Sequence, residues 1–221
     1  MPPKPMFEKE TIVEAALELV RSSGPDAVTA RAVGERLGCS TRPIFTFFDS
    51  MEALQQEVTL CARRRYEASL RAADGYVPAF KMRGLQMLRF AAAEPQLFRL
   101  LFMRGDRPMD MAQLSGAHSA DFQRDLRELQ TLYGISAEAA ERVVLQMWIH
   151  THGLCSLIVT GVCRFTDEEL AALIGETFAG AMLFWRSGDQ SAAAEMPVPA
   201  GSARAGRMCG PIPIQGKETE R

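Results

Sequence analysis

Of the 221 residues in the chain, 47% are hydrophobic and 24% are charged, a balance that excludes a disordered or collagen-like chain and fits a folded protein with a sizeable interior. The 25 Lys and Arg residues and the 27 Asp and Glu residues give a formal net charge of -2. This charge excludes a polycation that coats nucleic acid, so any contact with nucleic acid must come from a local patch.

The first predicted helix covers residues 12–20, where apolar side chains recur at helical spacing, and the Ser-Ser-Gly-Pro sequence at 22–25 ends it. A second helix of about two turns is expected after Thr29, whose hydroxyl suits an N-cap. Gly38 then stands where a left-handed residue ends a helix. These signals predict a longer helix followed by a short one.

A third short helix is predicted over 41–48, with Ser40 as its N-cap. Pro43 falls at its third position, where proline is tolerated because its missing N–H would have no helical partner. Two short helices joined by a tight turn, after a longer helix, form the arrangement that places one helix in a DNA major groove while another braces it. Geometry alone leaves this interpretation open, since unrelated all-helical proteins contain similar sets of short helices.

A long helix is predicted to run toward Ala73, with Asp49 and Ser50 supplying its cap and Glu52 forming a capping box with Asp49. Further helices are expected over 79–93, 95–104, 119–133, 137–160 and 167–186.

The last of these helices is expected to begin with a capping box of Thr166 and Glu169. No convincing alternating strand pattern occurs, so the sequence predicts an all-α fold. Residues 188–221 are rich in Gly, Pro, Ala and Ser and are expected to form a flexible tail.

The stretch from Ile12 to Leu54 combines small apolar residues, turn glycines and an aromatic run. In chain order, these features are Ala15-Ala16-Leu17 with Leu19, Gly24, Thr29 with Arg31, Gly38 with Ser40, Ile44-Phe45-x-Phe47-Phe48, and Glu52 with Leu54. Together they resemble the amino-terminal DNA-binding domain of the tetracycline-repressor (TetR) family. Farther along, Trp148-x-x-x-His152-Gly153-Leu154 resembles the Trp/His-Gly signature of the ligand-binding domain in one branch of that family.

The resemblance implies a ligand-responsive homodimer that binds a palindromic DNA operator and leaves it when a small-molecule effector enters the larger carboxy-terminal domain. Repression is the family default. On this basis we expect a helix-turn-helix DNA-binding domain at 1–52 and a helical effector-binding and dimerisation domain at 53–187, followed by the tail at 188–221.

Carried over by position, the resemblance implies that Thr29 and Arg31 grip backbone phosphate. It also implies that four residues face the groove: Ser40, Thr41, Arg42 and Thr46. Phosphate contacts fix the register of a protein on DNA, whereas a guanidinium can read the O6 and N7 atoms of guanine. Arg42 is therefore the expected base-reading residue.

The sequence departs from the family pattern at three positions in this region. Phe45 and Phe47 stand where family members commonly have a tyrosine or histidine that hydrogen-bonds phosphate, and Met51 replaces the usual lysine. Both phenylalanine rings are expected at the DNA interface, where they can pack but cannot donate a hydrogen bond. We therefore expect fewer phosphate contacts and a weaker dependence of DNA affinity on salt.

Aromatic and methionine side chains in the carboxy-terminal part suit an apolar effector cavity between helices. The residues expected to line it are Met87, Phe90, Phe98, Phe102, Phe122, Trp148 and His152. The last two helices are too apolar for a solvated surface, so they are expected to form the dimer interface. The residues expected there are Trp148, Leu157, Gly175, Phe178, Ala179 and Met182.

Two other functions stay open. One is a helical enzyme or thiol sensor that uses Cys155, Cys163 and nearby histidines, although the sequence contains no nucleophile elbow, HExxH motif or glycine-rich phosphate loop. The other is an adaptor that keeps the fold but does not bind DNA. Under the favoured interpretation we expect no catalytic residue, cofactor or metal.

Five widely spaced cysteines without a CxxC pair, and an amino terminus without a secretory signal, predict a protein of the reducing cytoplasm. The apolar stretch at 143–163 is interrupted by polar side chains, which are unfavourable in hydrocarbon. We therefore expect no membrane partner.

Overall fold

The computed structural model describes residues 7–104 and 119–187, which form nine α-helices and no strand. These helices are α1 (Lys9–Ser23), α2 (Ala30–Leu37), α3 (Arg42–Phe47), α4 (Met51–Leu70), α5 (Ala79–Ala93), α6 (Pro95–Phe102), α7 (Ala120–Tyr133), α8 (Ala137–Val159) and α9 (Asp167–Ser187). The all-α prediction is confirmed. The tail predicted at 188–221 lies outside the described residues.

Side-chain and glycine caps set several helix boundaries where the sequence predicted them. The Thr29 Oγ1 atom accepts a hydrogen bond of 3.1 Å from the Ala32 backbone N–H, and Gly38 ends α2 in the left-handed conformation. Before α9, the Thr166 N–H donates to the Glu169 carboxylate, and the Glu169 N–H donates to the Thr166 hydroxyl. The predicted capping box is therefore confirmed.

One other predicted cap is wrong, and a second is confirmed only in part. The residue before α3 is Thr41, not Ser40. The Thr41 backbone is already helical, and its side chain makes no capping hydrogen bond. Because α3 begins at Arg42, Pro43 is its second residue. At α4 the cap is Ser50, whose hydroxyl accepts from the backbone N–H of Ala53. The prediction of Ser50 is therefore confirmed, but the capping box predicted between Asp49 and Glu52 is wrong, since Asp49 precedes the cap.

The amino-terminal helices share an apolar core with the start of α4. Its fully buried members include Ile12, Leu17, Val33, Ile44 and Leu54. Helix α1 packs against α2, α4 and α6, so it touches both the short helices and the rest of the chain. In the carboxy-terminal bundle, α5 and α8 are central, since α5 packs against α4, α8 and α9, and α8 packs against α7 and α9.

An ion pair joins α1 to the turn before α6. The Arg21 Nε atom lies 2.8 Å from one oxygen of Glu94, and Arg21 Nη2 lies 2.7 Å from the other. These two hydrogen bonds hold a planar guanidinium against a carboxylate. The amino-terminal helices are thereby tied to α6 by a polar contact as well as by packing.

None of the helices in the described ranges combines the length and the apolar character that crossing a bilayer requires.

Candidate functional site

Helix α3 presents one face to solvent because its other face is anchored in the core. The Ile44 side chain is 0% exposed, and Phe48, which follows the helix, is also buried. The exposed face carries the four predicted groove-facing residues, Ser40, Thr41, Arg42 and Thr46. The structure thus brings these side chains to one surface.

The turn between α2 and α3 requires two glycines. Gly38 has a φ of 68°, a left-handed conformation that L side chains rarely adopt. At Gly34, an added Cβ atom would lie 2.9 Å from the backbone oxygen of Cys39, so a side chain there would collide with the turn. The N–H of Cys39 in turn donates to the Gly34 carbonyl. Sequence reasoning missed Gly34, although a glycine in the middle of a short helix signals such a close approach.

The polar groups on this surface differ in what they can still bind. The Arg31 Nε atom lies 2.8 Å from Glu35 Oε1, in a fully exposed pair that water and salt weaken. The Thr46 hydroxyl donates to the Arg42 carbonyl, so it retains only acceptor capacity. The Thr29 hydroxyl accepts from Ala32 and keeps its proton for another acceptor. Within the described residues, the Arg42 guanidinium has no ion-pair partner.

The two aromatic rings of α3 lie in different environments. Phe45 is 51% exposed and belongs to the same surface as Arg42. Phe47 is half-buried and packs against the core. The expectation that both rings lie at the DNA interface stays a prediction, and for Phe47 only the exposed part of the ring is available for it. Met51 is also half-buried against this core.

A second candidate site is a cavity of about 220 Å³ among α4, α5, α7, α8 and α9, with the end of α6 at one wall. Most of its wall is apolar. Its aromatic lining consists of Tyr66, Phe80, Phe102, Phe122, Trp148 and Phe178. This volume is somewhat below the range of drug-sized sites, about 300 to 1,000 Å³, so the cavity suits a small ligand.

Four of the seven predicted pocket residues line this cavity: Met87, Phe102, Phe122 and Trp148. Phe90 and Phe98 do not, because their rings are buried in the helix core, where Phe90 meets Tyr66 edge to face. His152 lies behind the wall, with its ring stacked on Trp148 at 4.9 Å between centroids. Periodicity placed these three side chains inside the bundle but did not distinguish core from cavity.

The structure adds a buried ion pair that the sequence analysis missed. The Arg83 side chain on α5 is 7% exposed, lines the cavity and contacts Asp125 on α7. Burial lowers the pKa of the Arg83 guanidinium, with the positive charge of Arg124 adding to the effect. Glu128, one turn beyond Asp125, accepts hydrogen bonds from the backbone N–H groups of Ala79 and Phe80 at the start of α5.

A signal for this pair exists in the sequence. Arg83 follows Phe80 by three residues and precedes Met87 by four, so it occupies the inward face of an apolar helix. A charged residue at such a position requires a partner or a ligand.

The outer face of α8 and α9 carries exposed apolar side chains. Ile149 is 52% exposed and Leu183 is 73% exposed, and Gly153, Leu157 and Ala179 lie exposed on the same helices. Sequence reasoning named Leu157, Ala179 and the half-exposed Gly175, but not Ile149 or Leu183. The spacing of Ile149, Gly153 and Leu157 by four residues indicates this face.

One residue expected at the dimer interface, Met182, lies inside the subunit instead, and two others, Phe178 and Trp148, are half-buried. Phe178 lines the cavity and packs against Phe80 and Tyr133. Met182 is buried in the bundle, and Trp148 is a cavity residue. The helices are apolar on more than one face, so composition alone did not tell the inner face from the outer one.

The cysteine chemistry of the alternative hypothesis finds little support in the geometry. Cys155 is fully buried, and its thiol faces the Met87 carbonyl at 3.8 Å. Burial raises the pKa of this thiol to about 12, so the reactive thiolate is not formed near neutral pH. Of the nearby histidines, His150 has its Nε2 atom 3.2 Å from the Thr177 hydroxyl oxygen. Burial lowers the pKa of the other, His152.

Comparison with known proteins assigns both parts of the chain. Residues 12–58 match the family described as bacterial regulatory proteins, tetR family, and residues 83–179 match the tetracyclin repressor-like C-terminal domain. An uncharacterized HTH-type transcriptional regulator from Mycobacterium tuberculosis is 27% identical over 180 residues, which cover 74% of this chain and 75% of that protein.

Two crystal structures share the fold. A TetR-like transcriptional regulator from Rhodococcus sp. RHA1 superposes with a TM-score of 0.57 and 13% identity, covering 82% of this chain and 96% of the other. A protein described as a TetR-family regulator from Mesorhizobium loti gives a TM-score of 0.52 and 19% identity, with coverages of 82% and 98%. At these identities the likeness establishes the fold.

Proposed function

This chain belongs to the TetR family of DNA-binding transcriptional regulators, and from that premise we propose that it is a homodimeric repressor that leaves a palindromic operator when a small molecule enters its interior cavity. The observation that carries the proposal is the exposed face of α3, where an Arg42 guanidinium without an ion-pair partner in the described residues stands above the buried Ile44 anchor. A rigidly held helix with a free guanidinium suits the reading of guanine in a major groove.

The phosphate contacts proposed at the start of α2 fit this geometry. Thr29 retains its hydroxyl proton, and Arg31 is held only by an exposed pair with Glu35 that a phosphate can replace. Phe45 supplies an apolar contact to the DNA surface and no donor. We therefore keep the expectation of a weak salt dependence for operator binding.

Release from the operator is proposed to be transmitted through the helices that connect the cavity with the DNA-binding helices. Tyr66 and Leu70 of α4 and Phe102 of α6 line the cavity, and both helices pack against α1. The pair of Arg21 with Glu94 adds a further link. A ligand that fits only one arrangement of α4 and α6 shifts the population toward that arrangement and changes the spacing of the two α3 helices in the dimer.

Footprinting on the DNA beside the gene for this chain tests the proposal directly. Protection of a palindrome is the expected result, and Arg42→Ala is expected to reduce discrimination between that site and random duplex by about 1 to 3 kcal/mol. Arg127→Ala removes an exposed arginine from α7, remote from α3, and is expected to leave binding unchanged. Equal weak binding of every duplex by the unaltered protein would favour the adaptor that does not bind DNA.

The proposed dimer rests on the exposed apolar face of α8 and α9. Leu183→Glu places a charge at its most exposed leucine and is expected to convert the dimer to monomers at micromolar concentration. The control is Leu132→Glu, at a half-exposed leucine on α7 away from that face. Sedimentation equilibrium measures both variants, and a Leu183→Glu protein that remains dimeric contradicts this interface.

A further inference from the structure

Phe45 is the large apolar side chain that helix α3 exposes. It is 51% exposed, whereas Ile44 before it is 0% exposed and Phe48 is 3% exposed. The ring of Phe47 packs against the core, but the ring of Phe45 does not belong to that core and contacts no other ring among the described residues. A single exposed apolar side chain is ordinary on a protein surface, so its position determines what it can do.

The position of Phe45 is beside Arg42 on the exposed face of α3. Both side chains are exposed, and the helix carries no acidic residue. Residues three apart lie on the same face of a helix, about 4.5 Å from each other along its axis. Successive base pairs of DNA are about 3.4 Å apart. When α3 lies in a major groove, the two side chains therefore reach base pairs that are within about three of each other.

The chemistry of the Phe45 ring limits what it can recognise on DNA. A phenylalanine ring has no N–H or O–H group and no acceptor atom, so it cannot read a base through the hydrogen bonds that a polar side chain makes. In the major groove, every base presents hydrogen-bonding groups, and thymine adds a methyl group at C5. Contact between the ring and that methyl group removes apolar surface of both from water. Thymine is therefore the base that an exposed phenylalanine favours.

We propose that Phe45 is a specificity-determining residue that reads the methyl group of a thymine in each operator half-site, within about three base pairs of the guanine read by Arg42. The inference deepens the proposed function, since it rests on α3 entering the major groove of an operator. Thr41 and Thr46 carry the other methyl groups on this exposed face. Their side chains are the alternative readers of a thymine methyl group, and the variants below separate them from Phe45.

Chemically altered operators locate the two bases. Replacing one thymine of each half-site at a time by deoxyuridine removes the methyl group and keeps the base pair. We expect binding to weaken by about fourfold at the thymine read by Phe45, as for the loss of one buried methyl group. Replacing guanine by 7-deazaguanine removes the N7 acceptor, and the guanine read by Arg42 is the one whose replacement no longer matters in Arg42→Ala. Fluorescence anisotropy measures each affinity on the palindrome found by footprinting.

Protein variants assign the methyl contact to one side chain. Phe45→Ala is expected to bind the unaltered operator about tenfold more weakly and to bind the thymine and deoxyuridine operators equally. Phe45→Leu keeps an apolar side chain and is expected to retain the preference for thymine. Thr41→Ser and Thr46→Ser each remove only a methyl group and are expected to leave that preference unchanged. Leu132→Ala truncates a similarly exposed side chain on α7, 47% exposed, and is the matched control.

The outcomes distinguish this inference from the proposed function. Specific operator binding that no deoxyuridine weakens, or only one more than about three base pairs from the guanine, overturns the inference and leaves the proposed function standing. A thymine preference that survives in Phe45→Ala, or is lost in Thr41→Ser or Thr46→Ser, does the same. Equal binding of every duplex by the unaltered protein overturns the proposed function and the inference with it. Circular dichroism checks folding, and if Phe45→Ala does not fold, the deoxyuridine series and the two threonine variants decide.

Discussion

The two ends of this molecule are built differently. The amino-terminal helices close around a fully apolar core, with hydroxyl caps and two glycines shaping the connections. The carboxy-terminal bundle contains a cavity, the buried ion pair of Arg83 with Asp125, and Arg83 N–H groups without a hydrogen-bond acceptor among the described residues. A tightly packed interior transmits displacement with little deformation, whereas empty space and unsatisfied groups leave an element free to adopt a second arrangement. Under the proposed function, the amino-terminal end would hold the DNA-reading helix in place and the carboxy-terminal bundle would respond to the ligand.

Two side-chain truncations, one in each part of the molecule, test this difference in packing most directly. Ile44→Ala removes a fully buried side chain beneath α3 and is expected to lower the free energy of unfolding by about 2 to 5 kcal/mol. The Met87 side chain borders an existing cavity and so has fewer neighbours to lose, and Met87→Ala is expected to cost less than Ile44→Ala, about 2 kcal/mol. Urea denaturation measures both. A larger loss for Met87→Ala would show that the bundle is the more tightly packed end.

Two glycine substitutions compare how closely the backbone is packed in the two parts of the molecule. Gly34→Ala forces a Cβ atom against the Cys39 carbonyl and is expected to destabilise the protein by about 1 to 3 kcal/mol, with loss of operator binding. Gly84→Ala on α5 places its Cβ at 3.5 Å from Ile174, an ordinary contact, and is expected to stabilise the helix by about 0.5 to 1 kcal/mol.

Thermal unfolding and mobility shifts measure both variants. A stable, operator-binding Gly34→Ala protein would contradict the tight approach of the turn to α2.

The dependence of stability on pH between 5 and 7 should include a contribution from the carboxy-terminal bundle. All three histidines follow residue 117, and burial lowers the pKa of His152. Below the ordinary histidine pKa of about 6.5 the unfolded chain binds a proton that folded His152 does not. Stability therefore falls as pH decreases from about 6.5, with a slope of at most about 1.4 kcal/mol per pH unit from this group.

His152→Phe preserves a ring against Trp148 and Phe98 and is expected to remove that part of the slope. Denaturation of both proteins between pH 5 and 7 measures the difference. Parallel pH profiles would show that His152 takes up a proton equally well in both states.

Local chemistry explains why the amino-terminal part was largely predictable. The Thr29 cap, the left-handed Gly38 and the exposed face around Arg42 follow from spacing and side-chain type within a short segment. The errors there are shifts of one residue, as at Ser40 and Asp49, because neighbouring Ser, Thr and Asp side chains compete for the same cap.

The carboxy-terminal site was predicted less well because it depends on how helices lie against one another. Periodicity indicates that Phe90, Phe98 and Phe102 face inward, but not which ring packs against other rings and which lines the cavity. Arg83 and Asp125 lie on different helices, and nothing in the local sequence pairs them.

By itself, the sequence determined the all-α class, most helix boundaries and the helix-turn-helix arrangement, since each depends on residues within a few turns of one another. Only the tertiary structure decided that Met182 lies inside while Leu183 and Ile149 lie outside, and that Phe178 and Arg83 line a cavity. Helix tilt and side-chain packing across the bundle set these positions, and no pattern along a single helix specifies them.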